Sequence, residues 1–399
     1  MVDSKITLNE SERFQKDFSL DKAKLVHAVE VAANKLEARY NEHGTGIPYS
    51  STENFKYHDF GINKDWTAGL YSGCFWLAYE LTNNDFFKKA ALAQLETFKE
   101  RFDTKTAMDD HDVGFVFSPS AVAAYKLTGD EKARKLALDA AEYFYTHSYS
   151  KEGKFIIRSW KTWDKGTGCR TMMDSLMNAP LLFWATKETG DSKYAEAAID
   201  HVKTTNKLLI RSDASSCHHY QFDPKTAAPV GQVTWQGNRD ESCWSRGHSW
   251  GVYGFPIAYT YAKEALDFIP DLHRDITYYM LNHLPEDLIP YWDYDFISGD
   301  EPRDSSAAAI AVCGMNEMVK ALPDSAEQKK LFANASAMML DSLIDNYAND
   351  IGIEYEGLLH HVTHAKPQGR GIDQCAAYGD YFYLEALLRF IKPDFKMYW

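Results

Sequence analysis

Several common signatures are missing from this chain. It has no CxxC pair, no HExxH and no glycine-rich phosphate loop. Those absences remove dithiol redox chemistry, zinc proteolysis and nucleotide-phosphate binding. Six cysteines (Cys74, Cys169, Cys217, Cys243, Cys313, Cys375) follow no metal or disulfide spacing. They read as reduced thiols in a cytoplasmic protein. His360, His361 and His364 are not spaced as metal ligands, so no metal and no cofactor is expected. No apolar run approaches the roughly eighteen residues that a membrane-spanning helix needs. The opening stretch MVDSKITLNESERF also lacks the basic-then-apolar layout of a signal peptide. Positive charge is in deficit, 43 Lys and Arg against 57 Asp and Glu, for a net −14. Nucleic acid and anionic membrane are poor partners for such a surface. An anionic substrate would need basic groups placed locally.

What the chain does have is apolar and aromatic. Of its 399 residues 45% are hydrophobic, and 24 Tyr, 22 Phe and 10 Trp bring the aromatics to 14%. Most rings belong to a core, but apolar ring faces are also what a carbohydrate site packs against sugar C–H surfaces. Ser19–Asn41 reads as a first amphipathic helix ending at Gly44. A helix–turn–helix joint then recurs: LTNNDFFKKAALAQL, LTGDEKARKLALDAA, ETGDSKYAEAAIDHV and, more loosely, LPDSAEQKKLFANAS. In each, Asn84, Asp130, Asp191 or Asp324 is expected to cap the second helix. Further helices are expected near 67–81, 84–102, 118–128, 130–147, 171–188, 191–209, 246–264, 266–284, 305–321, 325–347 and 379–392. Twelve helices in alternating buried and amphipathic pairs suit an all-α fold, an (α/α)6 barrel in one catalytic domain over residues 1–399. An open solenoid is the competing arrangement. KFIIRSW (Lys154–Trp160) alternates like a strand, Tyr220–Trp235 reads as a hairpin, and Ile353–Asp373 as a long loop.

The chemistry concentrates in those insertions. Met108–Phe117 places Asp112, and Thr171–Asn178 places Asp174, each beside a helix start and among apolar residues. A carboxylate is expensive there unless something holds it. Thr171 and Asp174 also fit a capping box, which would make the acid merely structural. Two acids facing one cavity are the arrangement used in glycosidic chemistry. Their mutual repulsion would raise one pKa, while a helix N-terminus pulls the other way. SSCHHYQFDP (Ser215–Pro224) carries His218 and His219, and Trp235–Phe255 gathers Gln236, Arg246, His248 and Trp250. Arg246 could grip a substrate carboxylate through its planar fork, or form a buried salt bridge to a helix-end acid.

With these pieces in view, the chain resembles glycoside hydrolase family 88, the unsaturated glucuronyl hydrolases. The blocks that carry the resemblance are DWTAGLYSG (Asp65–Gly73), DHDVGF (Asp110–Phe115), RTMMDSLMN (Arg170–Asn178) and SSCHHYQFDP. TWQGN (Thr234–Asn238), WSRGHSWGVYGF (Trp244–Phe255), RDSSAAAI (Arg303–Ile310) and YGDYFYLEALLR (Tyr378–Arg389) extend it across nearly the whole chain. The resemblance implies an (α/α)6 barrel without a metal cofactor. It also implies hydration of the C4=C5 vinyl ether in the unsaturated uronic acid that polysaccharide lyases leave at a non-reducing end. In that reaction Asp174 would donate a proton to C4 and then activate water, while Asp112 positions the sugar and tunes Asp174. His111 of DHDVGF, His218 and Gln236 would line the reacting ring, with Arg246 and Trp250 near them. Trp66 and Trp160 would stack on sugar. The late loop THAKPQGRG (Thr363–Gly371) departs from a serine-containing motif of some relatives, although Lys366 and Arg370 keep its positive charge. Cys217 and Trp235 also stand where relatives can differ. The substrate expected is an oligosaccharide from glycosaminoglycans. A rhamnogalacturonyl hydrolase acting on pectin fragments is the alternative within the same chemistry. A helical-ring sugar epimerase would instead pair histidines on opposing helices, and a non-catalytic sugar-binding protein would not depend on Asp174.

Overall fold

Helix ends explain the architecture better than helix interiors. In the computed structural model, which describes residues 2, 5–158, 169–223, 226, 228–350 and 353–399, three of the four recurrent joints have one design. The first helix stops at a left-handed residue, Asn83 (φ 55°), Gly129 (φ 71°) or Gly190 (φ 77°). The next residue, Asn84, Asp130 or Asp191, accepts a backbone N–H of the following turn through its side chain. A reversal in so few residues sets the two helices antiparallel. The fourth joint departs from expectation. Pro323 follows an extended Leu322, the helix begins at Glu327 behind Ala326, and Asp324 pairs with Lys329 instead of capping. Leu322 holds the position of the left-handed stop, and a residue before proline is pushed to extended backbone.

These joints build two concentric rings among the described residues. The inner ring comprises Ala68–Thr82, the Val113–Thr128 segment, the Ser175–Thr189 segment, Ser245–Tyr261, Ser305–Ala321 and Ala377–Ile391. The outer ring comprises Lys22–His43, Asp85–Thr104, Glu131–Ser148, Ser192–Leu209, Ile269–Asn282 and Glu327–Asn346. Each inner helix packs on its inner neighbours, and the last packs on the first, which closes the ring. The fold is therefore an (α/α)6 barrel, not an open solenoid. The inner helices are buried all round, as helices enclosed on both faces must be.

Alternation has a topological consequence. Every short joint runs from an inner helix to an outer one, and every long connection runs from outer to inner. All the long connections therefore emerge at one end of the barrel. Three of their strands, Arg170–Met172, His219–Phe222 and Pro229–Val233, pair antiparallel into a small sheet there. Tyr149–Ser150 and Phe155–Ile156 form a second, two-stranded one.

Two helices differ from expectation. The helix expected over 171–188 is a strand, a turn at Asp174, a short helix Ser175–Asn178 and a second helix from Pro180. Thr171 pairs across the sheet with Tyr220, a contact no local pattern reveals. The helix expected from 118 begins at Val113 and widens into a π-turn over Ser118–Val122. Pro119 lacks an N–H and crowds the preceding turn, which accounts for the bulge. No helix among the described residues is long and apolar enough to cross a membrane.

Candidate active site

A backbone contact brings the two aspartates together. Gly114 lies so close to Asn178 that a Cβ there would sit 2.4 Å from its Cα and carbonyl oxygen. Asn178 completes the joint, its Oδ1 accepting the Phe115 N–H at 2.7 Å. Helices Val113–Phe117 and Ser175–Asn178 thus touch main chain to main chain. Asp112 and Asp174 stand at the head of each, and neither carboxylate caps its helix. The capping box is not formed: Thr171 lies on a strand, and its hydroxyl has no hydrogen-bond partner among the described residues. Asp174 Oδ1 is buried and has no hydrogen-bond partner among the described residues either. From the outer helix Asp85–Thr104, Arg101 donates to Asn63 Oδ1, Asp65 O and Ala107 O, stitching two of the long connections together.

Electrostatics separate the acids from the histidines. Burial, then the charge of Asp112, pushes the Asp174 carboxyl up to about 7. Burial raises Asp112 to about 6 against the pull of Arg158 and Arg101. Desolvation acts the other way on imidazoles, lowering His111 to about 4 and His364 to about 3. His218 and His219 are driven well below their ordinary value by burial and by neighbouring arginines. At neutral pH this site offers neutral histidines and a carboxyl group poised to exchange a proton.

The acids line a cleft of about 1040 Å³. Asp112, Asp174, Trp66, His111, Gln236, Arg246, Trp250 and Arg370, all singled out from sequence, meet in its wall. Trp66 stacks on Tyr378 with ring centroids 5.4 Å apart, and Phe115 fills the space between Trp66 and Trp250 at 5.3 and 5.2 Å. His111 is held by Ser175 Oγ, 2.6 Å from its Nδ1.

Three expectations need correction or restriction. His218 does not line the cleft; His219 does. The His218 Nδ1 accepts the N–H groups of Trp235 and Gln236, both at 3.2 Å, which turns its ring onto Trp244 and away from the opening. Arg246 forms the buried salt bridge that was its alternative reading: it pairs with Asp304 and donates to Thr363 O at 2.7 Å. A desolvated guanidinium demands such a partner, so its fork is already engaged. Gln236 likewise donates its amide to His364 O at 2.8 Å, tying the late loop to the cleft. Trp160 lies outside the described residues.

Sequence reasoning missed Asp65, Arg158, Trp235, Trp244, His364 and Gln368 in the wall. Asp65 had a signal, an acid just ahead of an apolar helix, and its carboxylate accepts the Thr67 N–H and hydroxyl at 2.9 and 2.8 Å. Gln368 and His364 had none, because they arrive on a loop whose course depends on Arg246 and Gln236.

The sequence pattern of Glycosyl Hydrolase Family 88 matches residues 39–383. The chain belongs to glycosyl hydrolase family 88. It is similar to an unsaturated chondroitin disaccharide hydrolase of Streptococcus pneumoniae, 41% identical over 389 residues that span 97% of each chain. The crystal structure of an unsaturated glucuronyl hydrolase from Streptococcus agalactiae matches with a TM-score of 0.93 at 37% identity, covering 99% of this chain and 98% of that one. A mutant of the Streptococcus agalactiae enzyme, complexed with dGlcA-GalNAc6S, matches at 0.88 and 36% identity over the same shares. Family 88 membership makes this chain a glycoside hydrolase, and two carboxyl groups, Asp112 and Asp174, line its cleft.

Proposed function

We propose that this family 88 chain removes the 4,5-unsaturated uronic acid from the non-reducing end of lyase-generated glycosaminoglycan oligosaccharides. The observation that carries the reading is a carboxyl group, Asp174, raised to about 7, with one oxygen unpartnered among the described residues and a second acid beside it. The names of the relatives, one a chondroitin disaccharide hydrolase and one complexed with a sulfated unsaturated disaccharide, supply the substrate class. Asp174, protonated, gives its proton to C4 of the vinyl ether, and the ring oxygen supports the cation left at C5. Water adds to C5 and returns a proton to Asp174. The hemiketal then opens to a ketone, and the hemiacetal exposed at C1 expels the remaining sugar. Asp112 holds the substrate and keeps Asp174 protonated by its charge. Arg370, exposed at the mouth, offers a cation to the substrate's anionic groups.

Neutral, deeply desolvated histidines disfavour an epimerase built on a histidine pair. All six cysteines are free and buried, in keeping with the cytoplasmic setting we infer. The test is loss of the ultraviolet absorbance of the C4=C5 double bond on incubation with unsaturated chondroitin, hyaluronan or heparin disaccharides. Asp174→Asn and Asp112→Asn should each lower the rate about a hundredfold or more, the scale of lost acid–base help. Undiminished turnover by Asp174→Asn would remove it from the mechanism.

A further inference from the structure

The two segments that carry the acids meet a second time beside the Gly114 contact. Ser175, the residue after Asp174, has its Oγ 2.6 Å from Nδ1 of His111, the residue before Asp112, although 64 positions separate them. Both side chains are buried. On its other edge the imidazole places Nε2 at 3.4 Å from Asp110 Oδ1 and at 3.4 Å from Asp112 Oδ1. We propose that Ser175 is a positioning residue for the hydration step: its hydroxyl donates to His111 Nδ1 and so keeps the imidazole proton on Nε2, where it supports ionised Asp112. This rests on the glycosidase reading above and deepens it, by giving a role to a residue outside the cleft wall.

Proton accounting supports the assignment. Among the described residues Ser175 Oγ has one hydrogen-bond partner, His111 Nδ1, and Nδ1 has no other. If the imidazole gave its proton to Oγ, the serine hydroxyl would be buried without an acceptor. Nε2 would then turn a bare lone pair on two carboxyl groups. With the hydroxyl as donor both conflicts vanish. Burial lowers the His111 pKa to about 4, so the ring is neutral at working pH and carries a single proton, on one nitrogen or the other. The surrounding groups act on the carboxylate side or through space. Arg158 stands 3.6 Å from Asp110. Arg158, Arg101 and Asp65 bear on Asp112, which the Asn178 side chain also hydrogen-bonds. Arg158, Arg170 and Asp110 bear on His111, and Asp174 feels the charge of Asp112. His201, a second buried imidazole, is influenced by His111 in turn. None of these groups hydrogen-bonds Nδ1, so the tautomer is left to Ser175.

The tautomer is read directly from the imidazole nitrogen resonances of the isotope-labelled full chain by NMR, with the His111 signals assigned by their loss in His111→Gln. The unaltered protein should show His111 protonated at Nε2 and bare at Nδ1. In Ser175→Ala the two tautomers should mix, and kcat/KM on an unsaturated chondroitin disaccharide should fall about tenfold. Losing a hydrogen bond to its ionised form raises the pKa of Asp112, so the acid limb of the kcat/KM profile should also move to higher pH. Ser175→Thr keeps the hydroxyl and should restore both the rate and the position of that limb. A lower rate with the acid limb unmoved would make Ser175 a packing residue and overturn its positioning role. Should Ser175→Ala fail to fold, the spectrum of the unaltered chain still decides. A proton on Nδ1 in an active chain would overturn the Ser175 assignment alone. Absence of turnover by the unaltered chain would overturn the glycosidase reading and the role of Ser175 in it.

Discussion

Asp174 and Asp112 titrate as a pair, and the proposed chemistry needs the first protonated and the second ionised. With Asp174 near 7 and Asp112 near 6, kcat/KM should form a narrow bell, falling as pH rises through about 7 and as it drops through about 6. The sign of the coupling can be checked directly. Asp112 raises Asp174, so in Asp112→Asn the basic limb of the residual activity should move to lower pH. A basic limb that stays in place would mean that burial alone sets Asp174. These two acids were legible in the sequence because a carboxylate among Met, Val and Phe is costly without a purpose. Trp235 was not, since nothing local marks one indole of ten as the one backed by Arg158 and Arg170. Arg246 showed the limit in another way. Its two readings were equal until Asp304, 58 positions away, proved to be its partner.

Among the elements, the joints and the Gly114 contact do different work and should respond differently to change. Asp130 and Asp191 cap outer helices at the end of the barrel away from the cleft. Asp130→Ala and Asp191→Ala should each cost about 1 kcal/mol of stability, read as a lower denaturant midpoint, with turnover retained. Gly114→Ala places a Cβ against the main chain of Asn178, which cannot yield as a flexible side chain would. It should destabilise by about 1–3 kcal/mol and also depress turnover, because the same displacement separates Asp112 from Asp174. Three of the joints could be read in advance because their chemistry is local: a left-handed residue, then a capping side chain. The Arg170–Met172 strand could not, because only its partner His219–Phe222, some fifty positions on, makes it a strand. Pro180 and Pro119 were visible, but what they did to their helices depended on the packing around them.

At the scale of the whole chain, closure is sealed by charge as well as by packing. Arg39 of the first outer helix and Asp380 of the last inner one are both buried, paired at 3.1 Å, with the Tyr57 hydroxyl donating to Asp380 at 3.0 Å. Asp380→Ala would leave the guanidinium buried without its partner, at an expected cost of about 3–5 kcal/mol, measurable as a shift in the unfolding midpoint. Twelve helices and their pairing followed from periodicity, but a closed ring rather than an open stack depended on that meeting of first and last. Because every extended connection leaves the barrel at one rim, diet and durability are governed by separate parts of the molecule. Descendants of this chain can exchange one saccharide for another by rewriting the rim that meets the sugar. An enzyme fastened to a bead through the exposed Lys132, on the far rim, would keep its mouth open to the solution.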